Sequence, residues 1–140
     1  MHYVDEGPVD GHVMLLLHGM PTSSYLYRRM IPDLVGAGYR CIAPDHIGFG
    51  KSDKVLDDAW YSIERHSQAL NHLIESLSLE NITLFCQDWG GPVGGTASRR
   101  HAGSFRPFND HEHMVAWPVA RIYRRIETLE PLLASGRPDG

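Results

Sequence analysis

A short segment in the middle of the chain combines residue types that could do nucleophilic chemistry. Asp88 stands there between two small residues, Cys86 two positions before it and Gly90 two positions after it. Small neighbours let the backbone turn tightly from a strand into a helix while the central side chain is held out, which is the pattern of a nucleophile elbow. A carboxylate held in this way can attack a saturated carbon that bears a good leaving group. The product would be an ester on Asp88, which water must then hydrolyse.

The strands that must position this turn are predicted by apolar runs. Three short runs without polar alternation are typical of strands buried on both faces of a sheet: residues 13–17, 39–43 and 82–86. Because helical segments separate them, their order predicts an α/β fold with a mostly parallel sheet. Functional groups in such sheets lie at the C-terminal ends of the strands. The segments that should meet there are residues 18–21, 45–53 and 87–91.

Two helices are predicted between these strands. Residues 61–77 have apolar side chains at steps of three and four, which indicates an amphipathic helix with Ser62 as its cap. An earlier helix should begin with a Ser or Thr cap at residues 22–24 and reach Leu34. Pro32 should interrupt it and produce a kink or two short helices.

Composition limits the classes of protein to which the chain can belong. Its 140 residues are 42% hydrophobic, which suits one packed domain and excludes a collagen-like or disordered chain. Two cysteines provide no disulfide framework, so we expect reduced thiols and a cytoplasmic location. The net charge of −4 gives no electrostatic reason to bind nucleic acid. The longest apolar run, residues 13–17, is far too short to cross a membrane, so we expect no membrane partner.

Three segments resemble, in order and in register, the haloalkane dehalogenases of the α/β-hydrolase fold: residues 18–28, 44–54 and 87–91. The turn sequence Gln-Asp-Trp-Gly-Gly is specific for that family, whereas related epoxide hydrolases usually have His in place of Gln87. The resemblance covers about residues 1–94. It implies a partial α/β-hydrolase fold, with a short, mostly parallel sheet and flanking helices, from which the cap and the C-terminal half are missing.

The resemblance also implies roles for three residues. Asp88 would be the nucleophile that displaces halide from a small halogenated or related substrate. Trp89 would donate its indole N–H to the departing halide, and the backbone N–H groups of Trp89 and Met20 would hold the ester oxyanion. The family usually has a polar residue where this chain has Met20, so the side chain of Met20 would add no halide contact. No cofactor and no metal is implied.

A general base for ester hydrolysis is not recognised in the sequence. In this fold the order along the chain is nucleophile, acid and then His, and 52 residues follow Asp88. The three later histidines, His101, His111 and His113, lie in segments unlike the family's His loop. The run of acidic and His residues at 110–113 lacks the spacing and the third ligand that a metal site needs.

The character of the sequence changes near residue 95. Residues 1–94 contain 6 Lys and Arg against 12 Asp and Glu, whereas residues 95–140 contain 7 Arg and no Lys against 5 Asp and Glu. We predict a first segment, residues 1–94, that forms the N-terminal half of a hydrolase domain. A divergent tail, residues 95–140, should show no sustained period up to Asn109 and then a helix at 118–134.

Three functions remain open from the sequence. The chain could be a dehalogenase-type hydrolase that is truncated. It could be an epoxide hydrolase or another α/β hydrolase with an aspartate nucleophile. It could also be a non-catalytic fragment whose exposed sheet edge favours self-association.

Overall fold

The computed structural model describes residues 1–105 and, by backbone only, the strand at 114–116. It contains eight regular elements: β1 Tyr3–Glu6, β2 His12–Leu17, α1 Ile31–Gly36, β3 Tyr39–Pro44, α2 Ile63–Ser76, β4 Ile82–Cys86, α3 Gly90–Arg100 and β5 Met114–Ala116. Short 3₁₀ turns occupy Ser24–Tyr27 and Asp58–Trp60. Within these residues no helix has the length and apolar character needed to cross a membrane.

The strands form one sheet in the order β1-β3-β2-β4-β5. β2 pairs in parallel with both β3 and β4, β5 pairs in parallel with β4, and β1 alone is antiparallel to its neighbour β3. The register places Leu17 beside Cys86, so β2 and β4 end at the same edge. The predicted α/β fold with a mostly parallel sheet is confirmed.

Both faces of the central strands are buried, as apolar runs without alternation predict. One face of β2 carries Leu15 and Leu17, which pack in a cluster with α2 and α3 side chains such as Leu70 and Val93. The opposite face carries Leu16, which packs in a second cluster that includes Leu34 of α1. The sheet is therefore a rigid platform between two apolar layers, and its C-terminal edge can hold side chains in fixed positions.

The helices between the strands agree with the sequence in type and cap. The Oγ atom of Ser62 accepts a hydrogen bond from the backbone N–H of Arg65 at the start of α2. The predicted earlier helix is two short elements, the 3₁₀ turn capped by Ser23 and then α1. Pro32 lies at the beginning of α1, where its missing N–H costs no helical hydrogen bond.

The segment after Asp88 differs from the sequence prediction. α3 begins at Gly90 and continues to Arg100, through residues in which no sustained period was expected. Glycines and short polar residues obscure its pattern, but Val93, Gly94 and Ala97 form the buried side against the sheet. α3 passes residue 94 without interruption. The division of the chain there rests on the change in charge and in family resemblance, and it stays a prediction. The predicted helix at 118–134 lies outside the described residues.

Candidate active site

Asp88 occupies a sharp turn between β4 and α3. Its backbone has a φ of +52°, in the left-handed region that Asp tolerates better than most residues. The side chain is exposed above the sheet edge. The turn needs small residues around it: a Cβ atom on Gly90 would lie 2.3 Å from the carbonyl oxygen of Leu17, and one on Gly19 would lie 2.3 Å from the Cβ atom of Asp88. These close approaches give the predicted elbow its physical basis.

The loop after β2 brings a backbone donor to the Asp88 carboxylate. The N–H of Met20 donates to Oδ2 of Asp88 over 3.0 Å. The described residues provide no hydrogen bond to the other oxygen, Oδ1, and Asp88 as a whole is exposed. Two residues that the sequence predicted to act together therefore meet at the edge of the sheet.

Gln87 connects the same two loops from below. It is buried, and its Oε1 atom accepts the backbone N–H of Gly19 over 3.1 Å. The backbone N–H of Gln87 donates to the carbonyl of Leu17. The side chain at this position thus ties the turn after β4 to the turn after β2, a role for which the sequence offered only the family pattern.

Trp89 is half-buried and packs against an aromatic cluster centred on His66. The Trp89 and His66 rings lie edge to face, with 6.2 Å between their centroids. His66 also contacts His46, Trp60, Tyr61 and Phe49. His66 therefore links the indole beside the elbow to rings from two loop segments, residues 46–49 and 60–61.

Three buried histidines belong to this region. Burial lowers the pKa of His18 and of His66 below the ordinary value. Burial, together with the neighbouring positive charges that His18 and His66 would carry, lowers the pKa of His46 to about 3. All three rings are therefore neutral near pH 7. Within the described residues, Nδ1 of His46 and both ring nitrogens of His66 have no hydrogen-bond partner.

Asp45 joins three segments behind the site. Its buried carboxylate accepts hydrogen bonds from the backbone N–H groups of Ser24 (2.7 Å) and Lys51 (2.9 Å), and Nδ1 of His2 lies 2.9 Å away. Burial alone would raise the pKa of Asp45, but the hydrogen bonds from Lys51, Ser24 and His2 outweigh it and lower the pKa. The charged carboxylate therefore connects, through hydrogen bonds, the loops that flank the elbow.

The one described histidine that follows Asp88 in the sequence, His101, lies away from this site. His101 follows the far end of α3, whose 11 residues span roughly 16 Å at about 1.5 Å per residue. It lies 3.7 Å from Glu75 rather than near Asp88. His111 and His113 lie outside the described residues. In the described part of the chain no group of His, Cys, Asp or Glu side chains has the arrangement of a metal site.

The site combines residues that the sequence predicted with others that it did not. Asp88, Met20 and Trp89 meet at one sheet edge, as expected. Thr22 was considered as a helix cap, but its hydroxyl donates to the carbonyl of Gly19. The support given by His66 was also missed. A signal existed for it, because a single His on the apolar face of a predicted helix is unusual.

Comparisons with known proteins agree with this architecture. A sequence profile described as the alpha/beta hydrolase fold matches residues 12–108. A haloalkane dehalogenase from Mycobacterium marinum is 43% identical, over 98% of this chain and 48% of its own length. Another, from Psychrobacter cryohalolentis, is 54% identical over 67% of this chain and 31% of its own length.

Solved structures give the same result. A tetrameric haloalkane dehalogenase from Paraglaciecola agarilytica matches with a TM-score of 0.71 at 50% identity, covering 74% of this chain and 35% of that protein. Epoxide Hydrolase A from Mycobacterium thermoresistibile matches with a TM-score of 0.66 at 31% identity, covering 74% and 32%. The chain spans about half or less of the length of these relatives. It belongs to the α/β-hydrolase fold family and is similar to haloalkane dehalogenases, to one over 67% of its length and to another over 98%.

Proposed function

We propose that this chain carries the nucleophile of a haloalkane dehalogenase-type hydrolase. The observation that carries the proposal is the contact between Asp88 and Met20. An exposed carboxylate on a sharp turn has one oxygen bound by a backbone N–H, and the described residues give the other oxygen no hydrogen bond. The curated relatives at 43% and 54% identity, both named haloalkane dehalogenases, support the substrate class.

The first step is the attack of Oδ1 of Asp88 on the carbon that bears the halogen. A bond forms between Oδ1 and that carbon, and the carbon–halogen bond breaks with its electron pair leaving as halide. The indole N–H of Trp89 would donate to the departing halide, since indole nitrogen is a donor only. Asp88 is left as a neutral alkyl ester.

The second step is the hydrolysis of that ester. Water attacks Cγ of Asp88, and the negative charge develops on Oδ2, where the N–H of Met20 already points. The backbone N–H of Trp89 would be the second donor, as the family resemblance implies. The bond between Cγ and Oδ1 then breaks, the leaving alkoxide takes up a proton to become an alcohol, and the acid of Asp88 is restored. A base must take the proton of the attacking water, and the described residues bring no histidine to Asp88.

Halide release tests the proposal. The purified chain is incubated with excess 1-bromobutane, and the moles of bromide released per mole of protein are measured. We expect one bromide per chain, followed by little or no turnover. Steady turnover would show that a base is present, and no bromide release would support the non-catalytic fragment.

An epoxide hydrolase is the second candidate, because a solved epoxide hydrolase also matches the fold. Gln87 and the higher identity to dehalogenases favour the first candidate. A parallel incubation with an alkyl epoxide separates the two, since the dehalogenase proposal expects an adduct from the bromide and none from the epoxide.

We also propose a partner and a location for this chain. β1 is an outer strand among the described residues, and its free side could pair with a second copy of the chain. Both cysteines are free and buried, which supports the predicted reducing, cytoplasmic location.

A further inference from the structure

The Gly19–Met20 peptide is held from the side opposite to Asp88. The carbonyl oxygen of Gly19 accepts three hydrogen bonds: from the Thr22 hydroxyl at 2.7 Å, from the Thr22 backbone N–H at 3.0 Å and from Nδ1–H of His18 at 2.8 Å. Three donors on one carbonyl leave that group very little freedom to rotate.

This carbonyl shares a rigid plane with the N–H that contacts Asp88. A peptide bond is planar, and in the trans form its C=O and N–H point in opposite directions. The Gly19–Met20 bond is trans, since the one cis bond in the described chain is Met20–Pro21. Fixing the carbonyl of Gly19 therefore also fixes the direction of the Met20 N–H.

The His18 ring is held in the tautomer that this arrangement requires. Its Nε2 atom accepts the backbone N–H of His46 over 2.9 Å, so the ring proton must lie on Nδ1, which faces the carbonyl of Gly19. The side chain of His46 returns to the same loop, because its Nε2–H donates to the carbonyl of His18. The loop thus has its carbonyls bound on the inner side and its Met20 N–H left facing Asp88.

We propose that Thr22 is a positioning residue for the reaction at Asp88. Its hydroxyl, together with the His18 ring, locks the Gly19–Met20 peptide plane and so aims the Met20 N–H at Oδ2. This inference rests on the proposed function, and it adds a residue that touches neither substrate nor nucleophile.

The test uses Thr22→Val, which removes the hydroxyl and keeps the branched shape and the backbone N–H. Thr22→Ser restores the hydroxyl, and Thr96→Val makes the same change on α3, where the hydroxyl bonds only within its helix. Each variant is first alkylated on Asp88 with 1-bromobutane and then treated with hydroxylamine. Hydroxylamine attacks Cγ without needing a histidine, and it yields butanol and a hydroxamate on Asp88 while charge develops on Oδ2.

We expect Thr22→Val to slow the cleavage about tenfold, a part of the 10²–10³ that removal of a whole oxyanion donor costs. Thr22→Ser and Thr96→Val should cleave like the unsubstituted chain, and in urea all esters should react at one rate. Equal rates in folded Thr22→Val and the unsubstituted chain would overturn the proposal, as would equal slowing in Thr22→Ser.

A second measurement is independent of alkylation. Hydrogen exchange of the Met20 amide, followed by NMR, should be several-fold faster in Thr22→Val than in the unsubstituted chain, because the bond to Asp88 is less well held. If no ester forms in any variant, the proposed function fails, and the Met20 exchange rate alone decides about Thr22. An unchanged rate then overturns the inference.

Discussion

At the elbow, the distance between neighbouring backbone segments decides which residue type fits at a position. Gly90 lies against the carbonyl of Leu17, whereas its neighbour Gly91 has open space, since an added Cβ atom would meet only the Cys86 sulfur at 3.9 Å. Sequence reasoning could predict that small residues belong in this turn. It could not tell which of the two glycines is required, because the answer depends on the position of β2.

The two glycines give a matched pair of substitutions. Gly90→Ala should lower the free energy of unfolding by about 1–3 kcal/mol, because the methyl group meets backbone that cannot move away. Gly91→Ala should be neutral or raise it by up to about 1 kcal/mol, since alanine is the better helix former. Urea unfolding measures both. Equal effects of the two changes would contradict the close approach at Gly90.

The buried histidines predict a loss of stability in acid. The lowered pKa values of His18, His46 and His66 mean that the unfolded chain binds protons below about pH 6.5 that the folded chain does not bind. Their contribution to stability is present above that pH and is lost as the pH falls toward the folded pKa values. Each histidine that stays neutral in the fold adds a slope of about 1.4 kcal/mol per pH unit.

Urea unfolding between pH 7 and pH 5 measures that slope. In His46→Leu the slope should be smaller than in the unsubstituted chain by about one histidine's share, because the pKa of His46 stays depressed to about 3. The stability itself will also fall, since the hydrogen bond from His46 to the carbonyl of His18 is lost. An identical slope in the two proteins would show that His46 is not held neutral.

At the scale of elements, the sequence predicted the strand bounds and helix caps that depend on local residue patterns. Ile82–Cys86 was predicted as a strand with its observed bounds, and Ser62 was predicted as the cap of α2. The missed features depend on how elements meet. The contact of His66 with Trp89 requires α2 to pack beside α3, and the short β5 is defined by its pairing with β4.

Asp45 offers a test of how the loops around the elbow are joined. Asp45→Asn should lower the free energy of unfolding by about 2–3 kcal/mol, because hydrogen bonds to a charged acceptor that ties three segments are weakened. Asp53→Asn, at an exposed position in the same loop, should change it by less than about 0.5 kcal/mol. Thermal or urea unfolding provides the comparison. Similar losses for both variants would contradict the proposal that Asp45 holds these three segments together.

At the scale of the whole molecule, the described residues hold the part that we propose to be the nucleophile side of a hydrolase site. The elbow and the Met20 donor lie within residues 1–105, and none of the hydrogen bonds described there joins a histidine to Asp88. The family order of nucleophile, acid and base also places the base far along the chain from Asp88. Ester formation and ester hydrolysis should therefore separate in this chain.

The mass of the alkylated protein tests this account most directly. The chain is incubated with 1-bromobutane, digested and analysed by tandem mass spectrometry, with Asp88→Asn as the control of matched shape. The account predicts one butyl group, located on Asp88, that persists for hours and is absent from Asp88→Asn. A butyl group on another residue, an equal yield in Asp88→Asn, or no adduct and no bromide release would contradict it.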